Sequence, residues 1–153
     1  ARLACESAAE ANDLEVIVNS ESLYGDVFEV ANSCAKTVSK GAPGLYVFGG
    51  EPVITLPENP GEGGRNQALA VAMAKEISGS EGVSVLVAGT DGSDGPTGSA
   101  GGFVSGETWR ENAGGQEALD AADSGAWLRK SGGLFVSGPT GTNVMDLMLV
   151  LKH

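Results

Sequence analysis

Basic residues are scarce in this chain, and histidine is almost absent. Against 20 aspartates and glutamates stand 9 lysines and arginines, for a formal net charge of −11. The basic residues form no cluster, which excludes a nucleic-acid surface built on phosphate contacts and disfavours an anionic membrane face. A small anionic ligand is not excluded, because a site responds to local charge and dipoles rather than to the total. The one histidine is His153, so a Ser-His-Asp or Cys-His mechanism and a histidine metal site lack their central residue. Cysteine is limited to Cys5 and Cys34, both in alanine-rich stretches that read as helical. The first reading is two buried, reduced thiols, and the other is a disulfide or redox pair. No apolar run approaches the roughly 20 residues that span a bilayer. The opening Ala1-Arg2-Leu3-Ala4-Cys5 has neither a methionine nor a signal-peptide core. It reads as a piece that begins inside a helix, from a cytoplasmic protein.

Glycine, by contrast, is abundant, with 24 residues among 153. The glycines cluster at the ends of apolar runs, the places where α/β proteins bring backbone close to a ligand. The apolar content of 41% suits a packed domain. Periodicity predicts helices over 3–11, 26–40, 65–77, 105–112 and 116–130. It predicts strands over 14–18, 45–48, 53–56, 83–88 and 134–136, with 144–151 a strand or a helix. The run Val83 to Ala88 is nearly continuous and reads as a strand buried on both faces. Asp123-Ser124 reads as a helix cap, and Trp109 and Trp127 as core or interdomain anchors. The expected fold class is α/β: a layered mixed sheet flanked by helices, with glycine-rich ligand loops at strand ends.

Three polar loops carry the candidate chemistry. The first, Pro60 to Gln67, leads into a helix. Backbone N–H groups at Gly63 and Gly64 can approach an anion there, and the helix N-terminus adds positive potential. Arg65 and Lys75 are the only basic residues between Gly41 and Glu107. Arg65 can fork onto phosphate or carboxylate oxygens, or it can simply pair with Glu58 or Glu62. The stretch lacks the Lys-Ser/Thr ending of a Walker loop and the last glycine of a dinucleotide fingerprint. The second loop, Gly89 to Gly102, holds Asp91 and Asp94. Two carboxylates three residues apart can hold magnesium, take a proton from a hydroxyl, or cap their own turn. The third, Ser137 to Asn143, offers hydroxyls, an amide and free N–H groups for a sugar acid or phosphate, or is an ordinary turn.

These blocks in series resemble one family, the type-2 glycerate kinases, whose carboxy-terminal region is called the MOFRL domain. The resemblance is carried by Gly49-Gly50-Glu51, by Gly61 through Gln67, by Gly89-Thr90-Asp91-Gly92, and by Asp94-Gly95-Pro96-Thr97. Asp123-Ser124, Gly138 through Val144 and Asp146-Leu147 complete it. It covers Gly44 to the end, so residues 1–43 look like the helix–strand–helix tail of a preceding domain and 44–153 a MOFRL-like α/β domain. The chain departs from the pattern at Pro52, Ala68, Gly98, Ser99, Gly125 and Met145.

The resemblance implies an ATP-dependent, magnesium-requiring D-glycerate 2-kinase, some relatives of which carry the older label hydroxypyruvate reductase. It implies an active site between two domains, with a lysine from the missing one, so the chain alone would be inactive and need no cofactor of its own. Arg65, Asp91 and Asp94 then become catalytic candidates, with Asp91 and Asp94 as magnesium ligands. Substrate or phosphate would meet Gly50, Glu51, Gly63, Gly64, Asn66, Gln67, Thr90, Thr97, Thr140, Gly141, Thr142 and Asn143. The implied partners are a small anionic hydroxy acid, ATP and the missing domain. An apolar interdomain face left open would promote self-association or a dimer. The alternative is a stand-alone binding module for a sugar acid or phosphate. A reductase is disfavoured, because no dinucleotide fingerprint is present.

Overall fold

The computed structural model describes residues 1–153. Helix α1 (Arg2–Glu10) leads into β1 (Val16–Asp26), α2 (Val27–Lys40) and β2 (Gly44–Val53). Then come α3 (Arg65–Glu76), β3 (Val83–Gly89), β4 (Gly101–Ser105) and the short helices α4 (Thr108–Glu111), α5 (Gly115–Asp120) and α6 (Ser124–Ser131). Strands β5 (Leu134–Phe135) and β6 (Asp146–Lys152) close the order. The six strands form one mixed sheet in the order β1-β2-β6-β3-β4-β5. Only β1 and β2 pair in parallel, and β6 runs antiparallel to both of its neighbours.

The core lies between one face of this sheet and helices α2 and α3. Val27, Val30, Cys34 and Val38 recur at helical spacing on α2 and are all buried. Helix α3 is buried along Asn66 to Ala74, which its run of alanines allows by letting neighbours approach from every side. It packs on β3 and β4 and against α2, with α4 to α6 across its far side. Tyr46, Val85, Val87, Met148 and Val150 rise from the sheet into this layer. The opposite face carries only α1, over Leu45 and Val47. Strand β3 therefore alternates rather than being buried on both faces: Val83, Val85 and Val87 are buried, while Ser84, Leu86 and Ala88 are half-buried.

The two thiols fall on opposite faces of the sheet and are both free. Burial pushes the Cys34 thiol up to about 12, which makes it inert. No helix is long and apolar enough to cross a membrane.

Several boundaries differ from the sequence reading. Strand β1 runs on to Asp26 as the sheet's edge strand, with Asn19 bonded to Arg2 and Glu6 of α1 and Glu21-Ser22 exposed, so Asn19-Ser20-Glu21-Ser22 needs no apolar pattern. Residues 53–56 are not a separate strand. Gly49 to Pro52 continue β2 by pairing with the bulged half of β1. At Gly50 a Cβ would sit 2.7 Å from the Leu23 carbonyl oxygen, so the close pairing needs glycine there. The long second loop gives way to β4 at Gly101. The predicted helix over 105–112 shrinks to α4. The predicted helix over 116–130 is broken at Ala121–Asp123, where Ala121 accepts from the Gly61 N–H (2.8 Å). Asp123 does not cap α6. Its Oδ1 instead accepts from the Glu62 N–H at 2.8 Å, so this break pins the first polar loop. The last segment is the strand of the two readings.

Strand β6 is tied to α2 by one side chain. Lys152 Nζ donates to the carbonyls of Val38 (2.9 Å), Ser39 (3.2 Å) and Gly41 (2.7 Å), which end that helix. A cation there satisfies orphan carbonyls and complements the helix dipole. Lys152→Met is expected to lower stability by about 1–2 kcal/mol. Urea unfolding should show a lower midpoint at an unchanged slope.

Candidate functional site

The three loops meet at one end of the sheet. They form a cleft of about 320 Å³ beside the start of α3. One wall is Gly63, Gly64, Arg65 and Asn66, and another is Asp91, Asp94, Asn143 and Asp146. Ile54, Leu56 and Met145 give it an apolar edge.

Asp94 organises the first wall. Its Oδ1 accepts from the Asn66 N–H at 3.0 Å and its Oδ2 from the Gln67 N–H at 2.7 Å. This cap comes from a loop 27 residues away rather than from the residue preceding the helix, which is Gly64. A Cβ on Gly64 would lie 2.4 Å from the Asp94 carboxylate, so glycine lets the loop close onto the helix. Burial pushes the Asp94 carboxyl above its ordinary value, against the pull of the two N–H donors. Thr97 Oγ1 accepts from Gln67 Nε2 at 2.9 Å and donates to the Asp94 carbonyl at 2.8 Å, which locks the turn.

Two expected anion donors at the helix start are thus already used by Asp94. The N–H groups of Gly63 and Gly64, just before α3, have no partner in the fold. Asn66 is 1% exposed, lines the cleft, and its Oδ1 has no hydrogen-bond partner.

Arg65 is the one cation of the cleft. Its Nε donates to Asp146 Oδ2 at 2.7 Å and its Nη1 to Glu51 Oε1 at 2.9 Å. Neither Glu58 nor Glu62 is its partner; Glu62 pairs with Arg129 instead. Burial opposes the charge on Arg65, but the carboxylates of Asp146 and Glu51 outweigh it and hold the guanidinium above its ordinary pKa. Asp146 is the residue that sequence reasoning left out of the site. Its signal was a carboxylate at the head of the apolar strand β6, and it is only 4% exposed.

The second and third loops are stitched together. Thr90 Oγ1 donates to the Met145 carbonyl (2.7 Å) and accepts from the Val144 N–H (2.8 Å). Thr140 donates through Oγ1 to the Thr90 carbonyl and through its N–H to the Asp91 carbonyl (3.2 Å). Asn143 Nδ2 reaches Asp91 Oδ2 at 3.4 Å. The Ser93 N–H and the burial that opposes it leave the Asp91 carboxyl below its ordinary value, so it remains ionised. Met145 holds φ at 69°, a left-handed conformation imposed by this stitching.

The fold therefore gathers Gly63, Gly64, Arg65, Asn66, Asp91, Asp94 and Asn143 around the cleft, with Glu51 joined through Arg65. Thr90, Thr97, Gln67 and Thr140 support the loops from behind. Gly141 and Thr142 are exposed outside the lining. Gly50 faces a neighbouring hollow of about 370 Å³ that shares Met145 and Asp146 with the cleft. One guanidinium, free N–H groups, a carboxamide and the Asp91 carboxylate suit a small anion that also carries a hydroxyl.

Comparisons with known proteins point to one family. The chain is 49% identical over 113 residues to the D-glycerate 2-kinase of Thermotoga maritima, an alignment covering 71% of this chain and 27% of that enzyme. It is 38% identical over 113 residues to the glycerate 2-kinase of Pyrococcus horikoshii, covering 71% of this chain and 26% of that enzyme. The chain thus spans about a quarter of these relatives' length. A crystal structure of glycerate kinase from Thermotoga maritima superposes with a TM-score of 0.93 at 35% identity, over 99% of this chain and 39% of that one. The MOFRL family pattern matches residues 44–146, and the chain belongs to that family.

Proposed function

We propose that this chain is the carboxy-terminal domain of an ATP-dependent D-glycerate 2-kinase-like enzyme. It supplies substrate and phosphate loops to an active site completed by a preceding domain. Residues 1–43 are read as the tail of that domain, here adding β1 to the sheet, α2 to the helix layer and α1 to the opposite face, and residues 44–153 as the MOFRL-like domain. The observation that carries the reading is Arg65: a guanidinium fixed at the start of α3, with Nη2 unused and free N–H groups beside it. Phosphoryl transfer needs positioning and charge neutralisation above all.

In this reading the substrate 2-hydroxyl oxygen attacks the γ-phosphorus, its proton passes to the Asp91 carboxylate or to water, and ADP departs with the bridging oxygen. Arg65 holds the substrate carboxylate or the transferring phosphoryl group. Gly63 and Gly64 offer N–H groups to oxygens, and Asn66 its carboxamide. Asp91 contacts the substrate hydroxyl or takes a metal. No three-residue cluster of His, Cys, Asp and Glu able to hold a metal is present. Magnesium bound with nucleotide phosphates needs only one or two carboxylates, however, and half-buried Asp91 fits that demand. The ion would supply charge neutralisation at the phosphates. Asp94, turned onto α3, is the less available ligand. The protein would work in the cytoplasm.

The test is a kinase assay on the natural full-length protein with ATP, magnesium and D-glycerate, the product's phosphate position being read by NMR. Formation of 2-phosphoglycerate is expected, with none from the 153-residue chain alone. No turnover by the full protein would overturn the reading. Turnover by the chain alone would overturn its two-domain part.

A further inference from the structure

Arg65 has five N–H groups, and the fold uses two. The Nε–H is held by Asp146 and one Nη1–H by Glu51, which leaves both Nη2–H groups and the second Nη1–H without an acceptor. The two acceptors differ in kind. Asp146 is the first residue of β6, paired to Gly50 on one side and Gly89 on the other, and its side chain is 4% exposed. It has nowhere else to go. Glu51 lies near the end of β2, and its side chain is 54% exposed. Leaving Arg65 only returns that carboxylate to water, and exposed ion pairs shift an equilibrium by roughly fivefold or less.

A carboxylate or phosphate can dock on two edges of a guanidinium: Nε with Nη2, or Nη1 with Nη2. Asp146 closes the first edge. The second is open except for Glu51. We propose that Arg65 binds its substrate anion by carboxylate exchange, with Asp146 as the fixed positioning residue and Glu51 as a placeholder that the incoming oxygens displace. The exchange keeps two anions on Arg65 throughout and lets the newcomer take both remaining nitrogens as a fork. Glu51 thus competes with substrate instead of contacting it. The nature of the anion rests on the function proposed above; the exchange does not.

The experiment is calorimetric titration of the natural full-length protein with D-glycerate and, separately, inorganic phosphate, in wild type, Glu51→Gln and Asp146→Asn, with melting midpoints alongside. Glu51→Gln should tighten anion binding about three- to fivefold, the gain from removing a competing exposed pair. Asp146→Asn should weaken it about tenfold or more. Opposite signs are the signature. A merely structural role for both residues would loosen Arg65 and weaken binding in both variants. Glu51→Gln is exposed and should fold, so it decides the matter even if Asp146→Asn does not. Weaker or unchanged binding in Glu51→Gln overturns the exchange, as does unchanged binding in a folded Asp146→Asn. If phosphate shows the pattern and D-glycerate does not bind, the exchange stands and the glycerate reading falls. If wild type binds neither anion, both fall.

Discussion

Arg65→Ala in the natural full-length protein is expected to lower turnover about a hundredfold or more, the usual effect of removing a donor aimed at developing charge. Arg65 is the cleft's one cation, so no neighbour can substitute. The variant also leaves Asp146, 4% exposed, without its partly exposed counter-ion, and a buried polar group left unpaired costs about 1–3 kcal/mol. Rate loss and instability must therefore be separated. Arg65→Lys does this. It restores a positive charge near Asp146, so much of the melting temperature should return. It cannot hold Asp146 and present a fork to substrate at once, so turnover should stay well below wild type. Steady-state kinetics beside thermal unfolding would show the split. Wild-type turnover in Arg65→Ala would remove the residue from the mechanism.

Asp94→Ala is expected to act first on stability. Its two oxygens bind the buried N–H groups of Asn66 and Gln67, and each buried donor left unpaired costs about 1–3 kcal/mol. A loss of about 2–6 kcal/mol follows from those two donors, or roughly 4–24 °C in melting temperature for a chain of this size. Because α3 touches β3, β4 and α2, fraying its first turn should also move Arg65 and lower turnover. A variant that kept wild-type stability but lost activity would place Asp94 on the ligand or metal instead of on the helix.

Much of this was legible in the sequence, and the exceptions have physical causes. Helix α3 was readable because alanines, Leu69 and Met73 repeat at helical spacing. The loops declared themselves because glycine next to an apolar strand has few other uses. What the pattern hid was polar structure with distant partners. The Asn19–Ser22 part of β1 carries no apolar code because Asn19 meets Arg2 and Glu6 of α1 while Glu21 and Ser22 face water. Asp94 looked like a metal ligand or a self-capping turn, and only the fold reveals it as the cap of a helix starting 29 positions earlier at Arg65. Asp146 read only as part of the resemblance and of a segment, 144–151, that was a strand or a helix, since nothing local links it to Arg65 81 residues away. Local propensity can nominate Arg65, but only tertiary pairing can say which of its nitrogens remain free.

The strand that is made last lies in the middle. β6 separates β2 from β3 and pairs with both, so as the chain leaves the ribosome its two halves cannot yet form one sheet. The β1-β2 pair and the β3-β4-β5 group must wait with open inner edges until Asp146 to Lys152 arrive. Sequence-distant pairing of this kind makes folding slow, and open strand edges invite association. The same insertion has a second effect: Asp146 heads β6, so the guanidinium of Arg65 gains its fixed partner only when the sheet closes. On the proposed reading of Arg65, a nascent or partly folded chain would therefore present no competent anion site, and ligand binding would be a late event that reports completion of the whole sheet.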